Sequence, residues 1–507
     1  MQKAFSSIIT NIILQIMTAL QGFIVSRFVL STYGSAINGM VNSISQFLIY
    51  AGLAEMGIGN AAIIALYKPI SNNNWKKINS LISTTKRKYF FSGMFYIMIV
   101  LLIALLYPFA IKKQFDYGFV FFMVIVIGGV NLAEYFILAK YKVFLSALQK
   151  YYVLNIARSI SIFGSLTMSI LLMSNNYSLI LVKGVIVLIR VCEALIIRYY
   201  TTHQYPKLQE KSNLYIKIKQ QNNALLHQLA NIVIYNTDLV VLTICLSNNS
   251  LYEISVYTVY AMPCNMMINL LNTLTTGMNS TFGDIIVRGD KKRLKSWYDA
   301  YEYIYLLIVF SAYTCFVVMI IPFVKCYTVG IYDINYIRLF IGILFCFSGL
   351  TAHIKGAAMV LIVGAGHFRE TQKYIVLEAI INILISLILV RRYGLIGVLI
   401  GTIISHMVAD PGYINHAYKV ILGKSSDIIQ KRIVRNSIIF ILLSIVEYNF
   451  VKVVENWIVL ILVGVIILFI NIGIYYVINV FFEPEKKYIL KNVYIKVISK
   501  KHIGEKK

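Results

Sequence analysis

The chain has 507 residues, of which 59% are hydrophobic and only 13% are charged, and its mean hydropathy is +0.74. This composition is far more apolar than that of a protein folded in water, and the chain contains apolar runs long enough to cross a bilayer. Length, composition and charge therefore exclude an ordinary soluble enzyme or binding module and predict an all-α, polytopic membrane protein.

Apolar runs separated by charged or Asn- and Gly-rich breaks predict about fourteen transmembrane helices. In chain order the predicted spans are 5–30, 37–66, 88–111, 117–139, 152–174, 178–200, 222–247, 253–283, 301–325, 336–363, 372–391, 394–417, 434–452 and 457–482. The first apolar run has no convincing cleavage site and continues too long for a signal peptide, so we expect a retained first helix.

Lysine and arginine concentrate on one side of this predicted topology. With a cytoplasmic N-terminus, the inner loops and tails carry 35 of these residues and the outer loops carry 8. Since cationic loops stay inside, both termini are predicted to be cytoplasmic. The net charge of +26 is spread over many short inner loops, so we expect contact with anionic lipids at the cytoplasmic face and no binding of nucleic acid.

Two segments repeat at a shift of about 217 residues. Residues 40–82 and 259–301 are both long apolar helices that end in a basic loop with a tryptophan, and residues 147–173 and 367–390 correspond at a similar shift. An even number of helices per repeat predicts two six-helix lobes related by a pseudo-two-fold axis along the membrane normal, followed by two extra helices. The predicted parts are an N-terminal lobe (1–203), a cytoplasmic linker (204–221), a C-terminal lobe (222–420), two extra helices (421–482) and a basic tail (483–507). The six cysteines form no CxxC pair, so neither a metal framework nor a cofactor is expected.

Four segments carry a family resemblance. The most specific are "LAEMGIGNAAIIALYKPISNNNWKKINSLISTTKRKYF" (53–90) and "STFGDIIVRGDKKRLKSW" (280–297), and the others are 236–262 and 391–410. They resemble Wzx-type polysaccharide flippases, in the superfamily that includes multidrug exporters and the lipid II flippase, and the resemblance extends to about residue 430.

The resemblance implies a transporter rather than an enzyme. It implies export of undecaprenyl-diphosphate-linked oligosaccharide across the bacterial cytoplasmic membrane by alternating access, in lipopolysaccharide or capsule biosynthesis. Other polysaccharide-assembly proteins are possible partners, and a functional monomer is expected. Two alternatives stay open: a cation-coupled multidrug exporter of the same superfamily, and a membrane-embedded polysaccharide polymerase or glycosyltransferase.

Charged residues inside apolar spans are costly and are therefore the first candidates for function. Arginine suits phosphate because its guanidinium donates two parallel hydrogen bonds. We predict that Arg27, Arg158 and Arg190 bind the substrate diphosphate and that Lys355 adds a point charge from across the cleft. The alternative is that these cations pair with acids on neighbouring helices or extend to the membrane surface, and for Lys183 we favour the surface.

The acidic residues of the second half suggest an ion-coupling site. Glu378 and Asn382 are four residues apart on one helix face, and Asp238 and Thr402 lie in other spans. Oxygen ligands from several helices suit sodium or a coupling proton. The lipid II flippase branch is similar in placing a sodium site among these helices, although there the Asn precedes the acid. Structural hydrogen bonds between helices are the alternative.

Two further acids, Glu55 and Glu134, are predicted to have a conformational role. Glu55 is flanked by Gly52, Gly57 and Gly59, which permit a bend or a close approach of helices. We therefore expect Glu55 to face the interior of the bundle rather than lipid. A structural hydrogen bond is the alternative.

Overall fold

The computed structural model describes residues 2–55, 57–112, 114–209, 225–246, 249–451 and 456–487, and these residues form helices and turns without a strand. The α-helices in the first half are α1 (Gln2–Tyr33), α2 (Ser35–Ala51), α3 (Ile58–Ser71), α4 (Trp75–Ala110), α5 (Tyr117–Ala133), α6 (Ala139–Ala147), α7 (Tyr151–Ser174), α8 (Leu179–Gln204) and α9 (Leu225–Cys245). Those in the second half are α10 (Ser250–Val287), α11 (Lys291–Tyr327), α12 (Leu339–Ile354), α13 (Gly356–Ala365), α14 (Phe368–Tyr393), α15 (Leu395–Asn415), α16 (Asp427–Val451) and α17 (Trp457–Phe482).

The predicted fold class is confirmed. Among the described residues, eleven helical segments are long and apolar enough to cross a membrane. The other three of the fourteen predicted spans also coincide with helices. The span predicted at 37–66 is divided into the shorter helices α2 and α3. The span predicted at 178–200 corresponds to α8, which carries four charged residues, Lys183, Arg190, Glu193 and Arg198. In α9 the apolar part that the structure describes is the short segment Asn236–Cys245.

The span predicted at 37–66 is broken where the glycines cluster. Helix α2 ends at Ala51, a single 3₁₀ turn follows at Gly52–Glu55, and α3 begins at Ile58. Gly57 precedes α3 with a φ of 77°, in the left-handed region that is accessible to glycine at little cost. Glu55 therefore lies in a turn between two helices rather than in the middle of one.

The span predicted at 336–363 is broken at Lys355, between α12 and α13. A tyrosine on α11 packs against this break, since a Cβ atom on Gly356 would lie 2.0 Å from Oη of Tyr305. Only glycine leaves space for this ring, and the Tyr305 hydroxyl donates a hydrogen bond to the carbonyl of His353 at 3.2 Å. The break places the lysine side chain at a junction of two helices.

Two helices that begin in the basic loops of the predicted repeat have the same type of N-terminus. The Asn74 side chain accepts a hydrogen bond from the backbone N–H of Lys77, and the Asp290 side chain accepts one from that of Arg293, both at 3.0 Å. Each is a helix N-cap. At 36 and 37 residues, α4 and α11 are about 54 and about 56 Å long, so they extend beyond a hydrocarbon layer of about 30 Å.

Contacts divide the chain into two compact units. Unit 1 contains Met1–Thr258, Gly330–Ile334 and Ile385–Val398, and unit 2 contains Val259–Val329, Asn335–Leu384 and Leu399–Lys507. In unit 1, α1 packs on α7, and α7 and α5 pack on α8. In unit 2, α11 packs on α12, α16 and α17.

A buried ionic network joins α16 and the end of α17 to α11. Arg432 of α16 contacts Asp299 at 2.8 Å, Glu302 at 3.1 Å and Glu483 at 2.6 Å. Arg435 contacts Glu483 at 2.7 Å. Burial alone would raise the pKa of Glu483, which follows the last helix, but the hydrogen bonds from Arg432 and Arg435 outweigh burial and lower it below the ordinary value.

Candidate functional site

A polar cavity of about 390 Å³ lies within unit 1. Five helices contribute to its wall: α1, α2, α5, α7 and α8. The lining residues are Thr18, Gln21, Gly22, Val25, Ser26, Val29, Asn38, Val41, Asn42, Ser45, Val130, Arg158, Ser161, Ser165, Lys183, Ile186 and Arg190. Hydroxyl, amide and cationic groups thus converge on a space within the volume range of ligand pockets.

Helical spacing explains how the cationic residues reach the same cavity. Lys183, Ile186 and Arg190 are three, four and seven residues apart on α8 and so share one helix face. Arg158 and Ser161 share a face of α7 in the same way. The packing of α7 on α8 brings these two faces together.

The two arginines of the cavity share a carboxylate. Oε2 of Glu193 lies 2.5 Å from Nη1 of Arg190 and 3.4 Å from Nη1 of Arg158. Arg190 also contacts Glu134 at 3.3 Å, and Glu134 contacts Lys142 at 2.5 Å. The structure therefore brings Arg158, Arg190 and Glu134 into a single chain of alternating charges.

Glu134 occupies a special backbone position in this chain of charges. It begins a π-helical segment, Glu134–Leu138, that connects α5 to α6. Such local widening of a helix is frequent at functional sites. Its conformational role stays a prediction.

The other two predicted residues of unit 1 lie elsewhere. Arg27 is half-buried on α1 and is not among the residues that line the cavity. Glu55, in its turn after α2, is partly buried, and its carboxylate makes neither a hydrogen bond nor an ion pair with a residue that the structure describes. The roles predicted for Arg27 and Glu55 stay predictions.

A second polar cluster is buried in unit 2. Nζ of Lys355 lies 2.7 Å from Oε1 of Glu378 and 3.0 Å from Oδ1 of Asp410, and His406 Nδ1 lies 2.8 Å from the same Glu378 oxygen. All four residues are at most 7% exposed. Lys355, which we predicted to be a substrate contact, is thus paired with two buried carboxylates.

The remaining residues of the predicted ion site are divided between the two units. In unit 2, Asn382 donates a hydrogen bond to Thr402 at 3.0 Å, and its own carbonyl oxygen accepts none from the part of the chain that the structure describes. In unit 1, Asp238 is buried on α9 and accepts a hydrogen bond from the Tyr257 hydroxyl at 2.8 Å. A coupling role for these residues stays a prediction.

Sequence reasoning gave no site role to four residues that the structure places here: Lys183, for which it favoured the membrane surface, Glu193, His406 and Asp410. A signal for each was present in the spacing. Lys183 precedes Arg190 by seven residues and Glu193 follows it by three, and His406 and Asp410 follow Thr402 by four and eight, so each shares a helix face with a residue that was predicted. The partners on other helices could not be read from spacing.

A row of polar pairs also links α2 to α9 and to the start of α10 within unit 1. Asn38 donates to Ser255 at 2.8 Å, and the hydroxyls of Ser43 and Thr243 are 2.6 Å apart. The helices approach closely, since a Cβ atom on Gly39 would lie 1.8 Å from the backbone oxygen of Leu251. Hydrogen bonds between small and polar residues are common where membrane helices pack tightly.

Neither a protein-family model nor a curated protein sequence matches the chain. Among solved structures, the lipid II flippase MurJ in an inward closed conformation is similar, with a TM-score of 0.65 and 15% identity over 92% of this chain and 99% of that chain. An inward-facing multidrug resistance MATE family transporter of the MOP superfamily has a TM-score of 0.58 and 14% identity over 79% of this chain and 94% of that chain.

An outward-facing MATE transporter is similar as well, with a TM-score of 0.52 and 14% identity over 81% of this chain and 94% of that chain. Because all three identities are low, these likenesses concern the fold. These three solved structures are two MATE family transporters and one lipid II flippase. The chain therefore has the fold of MOP-superfamily transporters.

Proposed function

We propose that this protein moves undecaprenyl-diphosphate-linked oligosaccharide units from the inner to the outer leaflet of the bacterial cytoplasmic membrane by alternating access. The observation that carries the proposal is the polar cavity of unit 1, which combines Arg158, Lys183 and Arg190 with hydroxyl and amide groups. A charged head group cannot enter hydrocarbon without a large cost in free energy. A wet cavity with cations and hydrogen-bonding groups lowers that cost.

The substrate class agrees with the charge of the cavity. A diphosphate offers several strong acceptor oxygens to guanidinium and ammonium groups, and sugars offer hydroxyls to the serine, asparagine and glutamine side chains. The fold is shared with a lipid II flippase, which supports a lipid-linked substrate for this chain as well. The glycan then belongs to a surface polysaccharide such as lipopolysaccharide or capsule.

The membrane potential favours export of this substrate. A potential that is negative inside favours outward movement of negative charge by about 2.3 kcal/mol per charge per 100 mV. A diphosphate with about two charges therefore gains roughly 4–5 kcal/mol if its charge crosses uncompensated. In this proposal both termini are cytoplasmic, because the basic loops favour that side, and anionic lipids contact the inner face.

Ion coupling is part of the proposal. The buried cluster of Lys355, Glu378, His406 and Asp410, together with Asn382, supplies groups that respond to a proton or to sodium. Repeats at 1–203 and 222–420 would act as the two lobes of the transport cycle, with 421–482 as two added helices, and 204–221 and 483–507 as cytoplasmic segments. We propose a monomer as the working unit.

A multidrug exporter is the second candidate, because MATE transporters share the fold. Many hydrophobic drugs are cations. Among the described lining residues of this cavity the charged side chains are Arg158, Lys183 and Arg190, whereas Glu193 and Glu134, which pair with the two arginines, are not part of the lining. A ligand in the cavity therefore meets cationic groups, which disfavour a cationic drug. This charge favours the anionic lipid-linked substrate.

The experiment is a flipping assay in proteoliposomes with a labelled undecaprenyl-diphosphate oligosaccharide. Arg158→Ala should lower the flipping rate at equal amounts of folded protein, because it removes a cavity cation. Arg198→Ala removes an exposed arginine from α8 and serves as the matched control. If the intact protein flips no lipid-linked sugar, the proposal is wrong, and equal rates for Arg158→Ala and Arg198→Ala would remove the cavity from the mechanism.

A further inference from the structure

The three cations of the polar cavity differ in how their charge is compensated. Lys183 Nζ makes no hydrogen bond or ion pair with any residue that the structure describes. Arg158 and Arg190 are both held by Glu193. An incoming anion therefore meets one cation that is available at once and two that already have an internal partner.

The two arginines are not held equally. Arg190 contacts Glu193 at 2.5 Å and Glu134 at 3.3 Å, and its side chain is 13% exposed. Arg158 reaches Glu193 at only 3.4 Å, has no second ion-pair partner among the described residues, and its side chain is 36% exposed. Short contacts to charged groups are the strong ones, so Arg158 is the arginine that a competing anion can remove from its carboxylate.

Charge balance gives the same assignment. When Arg158 turns to another anion, Glu193 still keeps Arg190 at 2.5 Å, so no buried carboxylate loses its last cation. If Arg190 moved instead, Glu193 would keep only the long contact with Arg158, and Glu193 is just 4% exposed. The exchange of Arg158 is therefore the cheaper one.

We propose that Lys183 and Arg158 are the pair that binds a phosphate group in this cavity, and that Glu193 is an internal anion from which the phosphate takes Arg158. Arg190 is a positioning residue, which holds Glu193 and does not contact the phosphate. When the cavity is empty, Glu193 partly compensates the charge of Arg158, and Lys183 is the cavity cation without an ion-pair partner among the described residues. The phosphate as substrate group rests on the proposed function, whereas the exchange itself rests on the ion pairs.

The test measures binding of undecaprenyl diphosphate and, separately, of inorganic pyrophosphate to the full-length protein in neutral-lipid nanodiscs. Lys183→Met should weaken binding of both probes by about tenfold or more, since it removes a charge-assisted contact. Glu193→Gln should strengthen binding severalfold, because the competitor for Arg158 loses its charge. Arg198→Met, an exposed change on the same helix, should leave binding unchanged.

A double variant separates positioning from direct contact. Arg190→Met should weaken binding, because Glu193 then holds Arg158 more tightly. Adding Glu193→Gln should restore the affinity if Arg190 acts only through that carboxylate. A direct phosphate contact by Arg190 would leave the double variant as weak as Arg190→Met, and this result would overturn the assignment.

The outcomes distinguish this inference from the proposed function. If Lys183→Met binds and flips the lipid-linked substrate like the intact protein, the inference is wrong and the flippase proposal stands. If all variants show the expected order with pyrophosphate but the intact protein neither binds nor flips the lipid, the anion exchange stands and the substrate class is wrong. A weaker affinity in Glu193→Gln overturns the internal competition.

Discussion

The ionic network around Arg432 gives a sharp prediction about stability. Arg432 is 2% exposed and Glu302 is 0% exposed, so Arg432→Met removes the cation and leaves a carboxylate in the protein interior. Glu302 Oε2 then keeps the hydrogen bond from the Tyr418 hydroxyl, at 2.5 Å, but no ion pair among the described residues. Breaking a buried ion pair from one side costs about 3–5 kcal/mol, and we expect a loss of this size in the free energy of unfolding.

The assay measures unfolding of the purified protein in detergent in two ways: the fraction that stays monodisperse on heating, and the loss of folded protein on titration with denaturant. Lys431→Met is the control, because Lys431 is the exposed neighbour of Arg432 in sequence, and its substitution should change the free energy of unfolding by no more than about 0.5 kcal/mol. Adding Glu302→Gln to Arg432→Met should recover part of the loss, since the unpaired charge is removed. If Arg432→Met is no less stable than Lys431→Met, the reasoning from buried charge is refuted.

Three further predictions concern other contacts. Because the pKa of Glu483 is lowered in the folded protein, its stabilising contribution is complete above the ordinary glutamate pKa of about 4.3 and is lost as the pH falls through the lower folded value. The free energy of unfolding, measured from about pH 7 to about pH 3, should therefore fall less steeply in Glu483→Gln than in the intact protein. The same pH dependence in both proteins would contradict this prediction. In the proposed cycle α2 and α9 belong to different lobes, so a pair of cysteines at Ser43 and Thr243, whose hydroxyls are 2.6 Å apart, should form a disulfide on mild oxidation and stop transport until it is reduced. Continued transport by the cross-linked protein would show that α2 and α9 do not separate during the cycle. Lys355→Met should lower the free energy of unfolding by about 3–5 kcal/mol, and adding Glu378→Gln should recover part of this loss. Thermal unfolding of the single and double variants measures both effects, and equal stability of the two variants would contradict the coupling between Lys355 and Glu378.

The sequence predicted the structure well wherever the local composition of the chain determines where a helix lies or bends. Within the residues that the structure describes, each of the fourteen spans predicted from hydropathy coincides with helix. This agreement is expected, because a chain in lipid must satisfy its backbone groups internally. The glycines around Glu55 indicated a bend or close packing, and the structure has a turn there. Arg158 and Arg190 were identified from their position inside apolar spans, and both line the polar cavity.

The features that the sequence did not predict depend on contacts between residues that are distant in the chain. At the break beside Lys355, Gly356 leaves room for the Tyr305 ring, which lies on another helix, so no local pattern in the sequence predicts this contact. Arg432 lies between the predicted spans 394–417 and 434–452, in one of the basic inner loops of the predicted topology, yet it is 2% exposed because Asp299, Glu302 and Glu483 surround it. Charge placement along the chain shows which residues are costly, but only tertiary packing decides which acid compensates each cation.

The central claim is that the cavity of unit 1 carries an anionic lipid-linked sugar. The most direct test is one transport measurement in proteoliposomes that hold a labelled undecaprenyl-diphosphate oligosaccharide and a labelled hydrophobic cation together, with and without a membrane potential. We predict movement of the lipid-linked sugar, faster with the potential negative on the side of departure, and no movement of the cation. Export of the cation without movement of the lipid-linked sugar would contradict the account and establish the drug-exporter alternative.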